Sequence, residues 1–323
     1  MRILVAGGAG YVGSKLVPAL LEQGYAVTVL DLYLYGDLLE PHPALKEIKG
    51  DIRNLETVNE ALEGCNHVIH LACISNDPSF ELNPELGKSI NFDAFEPFVQ
   101  LAKKKSIERF IYASSSSVYG IKEEPNVTED MSLEPLTDYS KYKALCEEVL
   151  LRYADDSFIC TILRPATVCG YAPRQRLDVV VNILTNLAYH KKKIKIMGGD
   201  QMRPNIHIDD MVDAYLHVLK QPKEKVQGEI FNVGYHNHTV RAIGDIVAKT
   251  VGGCEVEVVP TNDNRSYHVS SEKIAQKLQF VPRHTLEEAV QSLIDAFEKG
   301  KLPNSLEDKR YFNIQIMKEL ELK

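Results

Sequence analysis

Gly7-Gly8-Ala9-Gly10-Tyr11-Val12-Gly13 decides how the rest of the chain is read. It follows a short apolar run at 2–6 and opens a helical pattern at 11–23. Glycines there allow a tight turn, let backbone N–H groups approach a pyrophosphate and let the helix pack close to the strand. A plain strand-to-helix turn would use some of the same residues. Asp31 adds a second signal, because it closes the next apolar run, 26–31, at about the spacing of 20 residues that a dinucleotide site requires. A carboxylate there accepts hydrogen bonds from a ribose 2′-OH and repels a 2′-phosphate. Leu32-Tyr33-Leu34 follows it, with no arginine. Loop and carboxylate together predict NAD binding, in preference to NADP.

Working outward, strands are expected at 2–6, 26–31, 67–71, 110–114 and 158–163. Each is brief and apolar on both faces, as a strand covered by helices should be. Helical patterns at 11–23, 55–62, 92–105 and 140–153 separate them. This alternation predicts an α/β fold with a doubly wound parallel sheet. Pro18 lacks a backbone donor and should bend the first helix. After Gly170 the rhythm changes. A helix is expected at 177–190, ending in Lys191-Lys192-Lys193, where cations suit the helix dipole. Residues 229–233 read as one more buried strand and 283–299 as an amphipathic helix. The expected division is a dinucleotide-binding domain over 1–170 and a smaller α/β substrate domain over 171–323. Part of the second, about 205–247, is expected to return to the first. From Asn304 onward no pattern is legible.

The 323 residues carry 37 basic and 45 acidic side chains, a formal net charge of −8. A net acidic chain without a basic run is poorly suited to nucleic acid or an anionic membrane surface. No apolar run approaches the ~18 residues of a spanning helix. The first residues, Met1-Arg2-Ile3-Leu4-Val5, show no signal-peptide core, so a cytoplasmic protein is expected. The six cysteines include no CxxC pair, which predicts reduced thiols. No His/Cys/Asp cluster has metal-ligand spacing, and no metal is expected.

Tyr139 and Lys143 are four apart in a helical stretch, which puts both on one face within about 40°. An ammonium beside a phenol favours the phenolate, and that makes a tyrosine a usable base near neutral pH. The same spacing recurs at Tyr11/Lys15 and Tyr189/Lys193. Only the middle pair follows a strand that ends in hydroxyls, Ser114-Ser115-Ser116-Ser117. Four serines could equally cap a helix or form a polar turn. In the second half, Arg174, Arg176, Arg203 and Arg265 stand as isolated arginines, which by themselves read as solvated surface, although guanidinium forks suit phosphate oxygens. His207, between Ile206 and Ile208, reads as a packed residue.

The Gly-x-x-Gly-x-x-Gly spacing, with the serine segment and Tyr139/Lys143, resembles the extended short-chain dehydrogenase/reductase family, in particular its nucleotide-sugar epimerases and dehydratases. The resemblance covers nearly the whole chain and implies a Rossmann-like fold. Ser114-Ser115-Ser116-Ser117-Val118-Tyr119-Gly120 looks like the segment with the catalytic hydroxyl, which falls on Ser115. The implied catalytic set is Ser115, Tyr139 and Lys143. The implied cofactor is NAD. In the glycine loop its contacts would be Gly7, Gly10, Tyr11, Val12 and Gly13, with Asp31 on the ribose. Asp51 and Ile52 resemble the element beside the adenine, and Leu71, Ala72 and Cys73 the strand end under the pyrophosphate. Asn91, Ser114, Tyr139, Lys143 and Pro165 complete the cofactor set. Ser115, Ser116, Thr167, Arg174, Arg176, Arg203 and Arg265 would contact a nucleotide-diphosphate sugar. Thr167 stands where the sugar epimerases commonly carry asparagine.

By this resemblance Tyr139 takes the proton of a sugar hydroxyl, usually at carbon 4, and NAD receives the hydride. A 4-epimerase returns the hydride to the other face of the 4-keto sugar. A 4,6-dehydratase needs an Asp-Glu pair directly after the catalytic hydroxyl, and here those positions are Ser116 and Ser117. The expectation is therefore a nucleotide-sugar 4-epimerase. A 4-dehydrogenase or 4-keto reductase would use the same triad, and a non-catalytic NAD-binding regulator would not need it. A homodimer is implied, joined through the helices near 92–105 and 140–153.

Overall fold

Brief β-branched runs become central strands when both faces can be covered, and the chain does this repeatedly. The computed structural model describes residues 1–261, 266 and 268–319. Its first strands are β1 (Arg2–Ala6), β2 (Ala26–Asp31), β3 (Leu45–Lys49), β4 (His67–His70), β5 (Arg109–Ala113) and β6 (Ile159–Pro165). They are followed by β7 (Thr167–Cys169), β8 (Lys193–Met197), β9 (Met202–His207), β10 (Glu229–Val233), β11 (His236–Thr239) and β12 (Glu255–Val259). Seven of them form one sheet in the order β10-β6-β5-β4-β1-β2-β3, and every neighbouring pair is parallel. The chain is thus a doubly wound α/β protein. β10 rejoins this sheet from late in the sequence, pairing Glu229–Val233 with 161–165 of β6. A three-stranded sheet, β11-β9-β7, and a β12-β8 pair stand beside it.

Apolar layers cover both faces. Phe95, Phe98, Phe110, Tyr112 and Phe158 fill one. Leu16, Val17, Leu20, Met211, Tyr215 and Phe231 fill the other. Each such side chain contributes roughly 1.5–3 kcal/mol by leaving water. A third cluster, including Val181, Leu184, Ile243 and Val290, holds the later helices together.

The helix Gly13–Glu22 passes through Pro18. The start of the expected helix at 92–105 is instead a π-helical turn, Ser89–Asp93, leading into Phe95–Lys104. β3 escaped the sequence reading because it is an edge strand whose Lys46, Glu47 and Lys49 are exposed. The helices Ile208–Lys220 and Val240–Val251 also lay outside the sequence reading. His207 is 5% exposed; it stacks on His284 and accepts the Asp209 N–H at the first of these helices. All six cysteines are free thiols. Among the described residues, no helix is long and apolar enough to cross a membrane.

Candidate active site

In an open parallel sheet the ligand crevice forms where strand order reverses, because the loops there diverge to opposite faces. Here the reversal falls between β1 and β4. The loops at their C-terminal ends border a cleft of about 450 Å³. Gly7 has φ +82°, and a Cβ on it would stand 2.6 Å from the Ala72 nitrogen. The loops after β1 and β4 therefore touch, and only glycine permits it. A Cβ on Gly13 would lie 2.4 Å from the Gly8 carbonyl oxygen. On Gly10 it would meet only the Gly7 oxygen, at 3.2 Å, so this part of the loop stays open. The helix Gly13–Glu22 starts with no side-chain cap and no acidic residue in its first turn. Its N-terminal end and Gly10, Tyr11 and Val12 line the cleft. Unfilled N–H donors at the positive end of a helix suit a diphosphate.

Asp31 ends β2 at the same cleft. Its carboxylate accepts the Ala9 N–H at 3.0 Å and the Tyr33 N–H at 2.9 Å. Burial pushes this carboxyl up, and the two N–H groups and the Arg174 charge offset that only in part. A carboxylate has about four acceptor positions, so room for ribose hydroxyls remains. Loop, uncapped helix and carboxylate together fit NAD. Asp51 and Ile52 line the cleft as well. Burial raises the Asp51 carboxyl, but the Arg53 fork outweighs it and holds the group below its usual range.

Leu71, Ala72, Cys73 and Pro165 border the cleft. Tyr11 and Ser114 border it too, with their hydroxyls spent on protein partners, and Asn91 does not. The Tyr11 side chain turns away, donating to the Gly170 carbonyl at 2.5 Å and accepting from Asn182 Nδ2 at 3.0 Å. The Ser114 hydroxyl donates inward to Glu147. Asn91 is 6% exposed and not part of the cleft wall. Its amide both accepts the Ile74 N–H at 2.8 Å and donates to the Ile74 carbonyl at 3.0 Å, bracing the loop after β4.

Ser115, Ser116, Tyr139 and Lys143 line one stretch of the cleft. Thr137 caps the helix Asp138–Tyr153, with Asp138 in its first turn. Tyr139 and Lys143 then fall one turn apart. Lys143 is 3% exposed. Its ammonium donates to the Ala113 carbonyl at 2.6 Å and lies 5.0 Å from the Tyr112 ring centroid and 5.9 Å from that of Tyr139. The expectation that Lys143 acidifies the phenol needs correction. Burial pushes the Tyr139 phenol well above its ordinary value, with the Cys73 thiol and Asp77 carboxyl adding to it. Arg176 and a hydrogen bond from Ser115 pull it back only partly.

A buried polar network sets the backbone of this site. Arg164 donates to Glu147 through Nε at 3.0 Å and Nη2 at 2.6 Å, and through Nη1 to the Tyr119 hydroxyl at 2.7 Å. Tyr119 donates to Asn232 Oδ1 at 2.7 Å. The Tyr139 helix, β6, β10 and the segment after β5 are thereby tied to one another.

Thr167, Arg174, Arg176 and Arg203 border the same cleft. Arg174 stacks on the Tyr35 ring at 3.5 Å and donates to Asn313 at 2.5 Å. Arg176 donates to Asp178 at 2.6 Å and Ser75 at 3.2 Å, and its charge reaches Tyr139. Arg174 Nε and Arg176 Nη2 are buried without a partner among the described residues. Arg203 donates to the Met202 carbonyl at 2.9 Å. Arg265 lies outside the described residues. The sequence reading missed Tyr35, Asp77, Ser117 and Asn313, all on the cleft wall. Asn76-Asp77-Pro78, which caps and opens the short helix Asp77–Phe80, was a readable signal for Asp77. Nothing local marks Asn313.

Among the described residues no group of His, Cys, Asp and Glu side chains is arranged to hold a metal ion. The model of the NAD-dependent epimerase/dehydratase family matches residues 3–234. A UDP-glucose 4-epimerase from Lactobacillus helveticus is 28% identical over 274 residues, 78% of this chain and 82% of that protein. A human dTDP-D-glucose 4,6-dehydratase is 29% identical over 324 residues, 93% of this chain and 90% of that one. The structure of a Bacillus cereus UDP-glucuronic acid 4-epimerase with UDP-glucuronic acid and NAD superposes with a TM-score of 0.82 at 26% identity, covering 93% of this chain and 99% of that one.

Proposed function

Since the chain belongs to the NAD-dependent epimerase/dehydratase family, whose members are enzymes with NAD as cofactor, we propose that it is a nucleotide-sugar 4-epimerase acting through a transient 4-keto sugar. The observation that carries this is the meeting of the Tyr139 phenol, the Ser115 hydroxyl and the Lys143 ammonium in the cleft that the glycine loop borders. NAD, when bound, supplies the hydride acceptor and the hydride donor. The chain's residues handle the proton. Tyr139 as phenolate removes it from the sugar hydroxyl, and Ser115 donates a hydrogen bond to the oxygen as charge develops there. Lys143, anchored on Ala113, holds positive charge beside both rings.

The unpartnered donors of Arg174 and Arg176, with Arg203, supply cations for a diphosphate or for polar sugar groups. Arg174 has Asp31 among its charged neighbours and Arg176 has Tyr139. These neighbours support a role for Arg174 near the ribose and for Arg176 near the reacting sugar. Dehydration at carbons 4 and 6 is disfavoured, because Ser116 and Ser117 offer hydroxyls where that chemistry needs an acid and a carboxylate base. The reading also carries a homodimer joined through Phe95–Lys104 and Asp138–Tyr153, which sedimentation would check.

The test is incubation with UDP- and dTDP-hexoses and -hexuronic acids, with products resolved by chromatography. Interconversion of two 4-epimers without net change in NADH supports the reading. NADH formed in proportion to product would replace it with a 4-dehydrogenase. Tight NAD binding with no affinity for any nucleotide sugar would leave a regulator.

A further inference from the structure

The Tyr11 phenol, in the glycine loop, is spent on a segment 159 residues away. It donates to the Gly170 carbonyl and accepts from Asn182 Nδ2, while Asn182 Oδ1 accepts the Gly170 N–H at 3.0 Å. Close by, Ser14 Oγ accepts the Arg174 backbone N–H at 3.2 Å and donates to the Tyr11 carbonyl at 3.1 Å. Tyr11, Ala172 and Ile208 pack together beside these bonds. The loop 170–176 is thereby docked on the first turn of the helix Gly13–Glu22, and the Arg174 side chain starts from there. Its guanidinium stacks on Tyr35, just past β2, and Asp31 and Arg174 are each among the other's charged neighbours. Arg174 is 2% exposed and borders the cleft, and its Nε has no partner among the described residues. We propose that Arg174 binds the diphosphate of NAD from the second half of the chain, and that Tyr11 is the positioning residue that brings it there. This deepens the reading above: it gives Arg174 to the cofactor and leaves Arg176 and Arg203 to the nucleotide sugar.

The first turn of the glycine-loop helix offers backbone donors to a diphosphate, but Asp31, on the same wall, repels it. A guanidinium near both is attracted to both. It offsets the carboxylate and offers a phosphate oxygen a charge-assisted N–H. Burial lowers the Arg174 group to about 10, so it remains a cation at neutral pH. Tyr35 covers one face of the fork and Asn313 Oδ1 accepts Nη2, so the side chain is held before a ligand arrives and loses little freedom on binding. A buried donor without an acceptor is costly, and a phosphate oxygen supplies the acceptor. Arg176 stands beside Arg174 but is tied to Asp178 and Ser75 and has Tyr139 among its charged neighbours. NAD held in this way is gripped by both halves of the chain, which suits a cofactor that takes up a hydride and returns it within one turnover.

Calorimetry tests this without turnover, with NAD and ADP-ribose as probes of one diphosphate and UDP-glucose and dTDP-glucose as probes of the other. Arg174→Met is expected to weaken NAD and ADP-ribose alike, about 10–100-fold, the range of a charged hydrogen bond, and to leave the nucleotide sugars little changed. Arg174→Lys keeps the charge and loses the fork, and its loss should fall between wild type and Arg174→Met. Unchanged NAD affinity overturns the proposal. So does a loss confined to the nucleotide sugars, which would give Arg174 to the substrate's diphosphate. If Arg174→Met fails to fold, Arg174→Lys decides by the same comparison. In the Asp31→Asn background the Arg174→Met loss should persist; its disappearance would mean that the guanidinium serves only the ribose carboxylate, and would overturn the proposal. Tyr11→Phe removes the bond to Gly170 and keeps the packed ring. It should weaken NAD severalfold in the otherwise wild-type protein and have no effect in the Arg174→Met background. Equal losses in both would overturn the positioning role, because a merely structural part in the glycine loop would act in either background. A protein that shows these shifts but interconverts no 4-epimers would sink the epimerase reading and leave Arg174 on the cofactor.

Discussion

The two walls of the cleft are assembled from very different distances along the chain. The wall assigned to the cofactor comes from the loops that end β1, β2 and β4, with Asp51 just past β3. Each loop is set by the strand it follows. The facing wall takes Arg174 and Arg176 from a loop after β7, Arg203 from β9 and Asn313 from the helix Asn313–Glu319. It is held by side chains: Asn313 Nδ2 donates across 238 residues to Ser75, in the loop after β4, and its backbone N–H donates to Asp178. The first wall is pre-shaped by the sheet. The second depends on a polar network whose members have no local reason to be adjacent. The comparison teaches that cofactor binding should survive many substitutions that damage recognition of the other ligand.

Tyr139→Phe should have the largest effect and belongs to neither wall. Losing the base is expected to lower kcat by about 10²–10⁴-fold, with NAD affinity, measured by calorimetry, nearly unchanged. A variant that loses NAD as well would show that the phenol holds the first wall together. Arg164→Met comes next. Arg164 and Glu147 are 2% exposed each, and removal of one partner from such a pair costs roughly 3–5 kcal/mol. Urea unfolding should show that loss, and both walls should fail together.

Asp31→Asn separates the walls. Removing the charge under the ribose should weaken NAD about 10–100-fold, the equivalent of roughly 1.5–3 kcal/mol for a charged hydrogen bond. Nucleotide-sugar affinity should not change. Arg176→Lys is the mirror experiment. It keeps the charge and loses the fork, and it should weaken the nucleotide sugar about tenfold while sparing NAD.

The smallest effect at neutral pH concerns the sheet beneath both walls. His70 is packed against Phe95, Phe98, Phe110 and Tyr112. Burial first, and the Lys143 charge second, push its imidazole down from 6.5 to about 3. The unfolded chain therefore binds a proton there between pH 6.5 and about 3 that the folded chain does not. Stability is full above 6.5 and falls as the pH drops through that window, by up to about 1.4 kcal/mol per pH unit from this group. His70→Leu should flatten the acid side of the stability curve and leave it unchanged at pH 8.

Much of the first wall was legible in the sequence because its causes are local. Gly7 needs a positive φ and close approach to Ala72, and both demands act within one strand-loop-helix unit. Tyr139 and Lys143 share a helix face through a spacing of four. The second wall was legible only as a scatter of arginines. Asn91 shows a different limit: its position was readable, but its side chain is spent on the Ile74 backbone. For Ser114 and Tyr11, too, a residue's place in the chain did not show which way its side chain turned.

The order of apolar runs, the glycine turn and the helix spacing sufficed for the doubly wound sheet, the dinucleotide loop and the shared helix face of Tyr139 and Lys143, because backbone sterics and periodicity act over a few residues. Folding was needed to bring Asn313 to Ser75, to dock the loop of Arg174 on Tyr11 and Ser14, and to raise rather than lower the phenol at 139. Burial and long-range hydrogen bonding govern those outcomes, and neither exists until distant segments pack and water leaves the cleft walls.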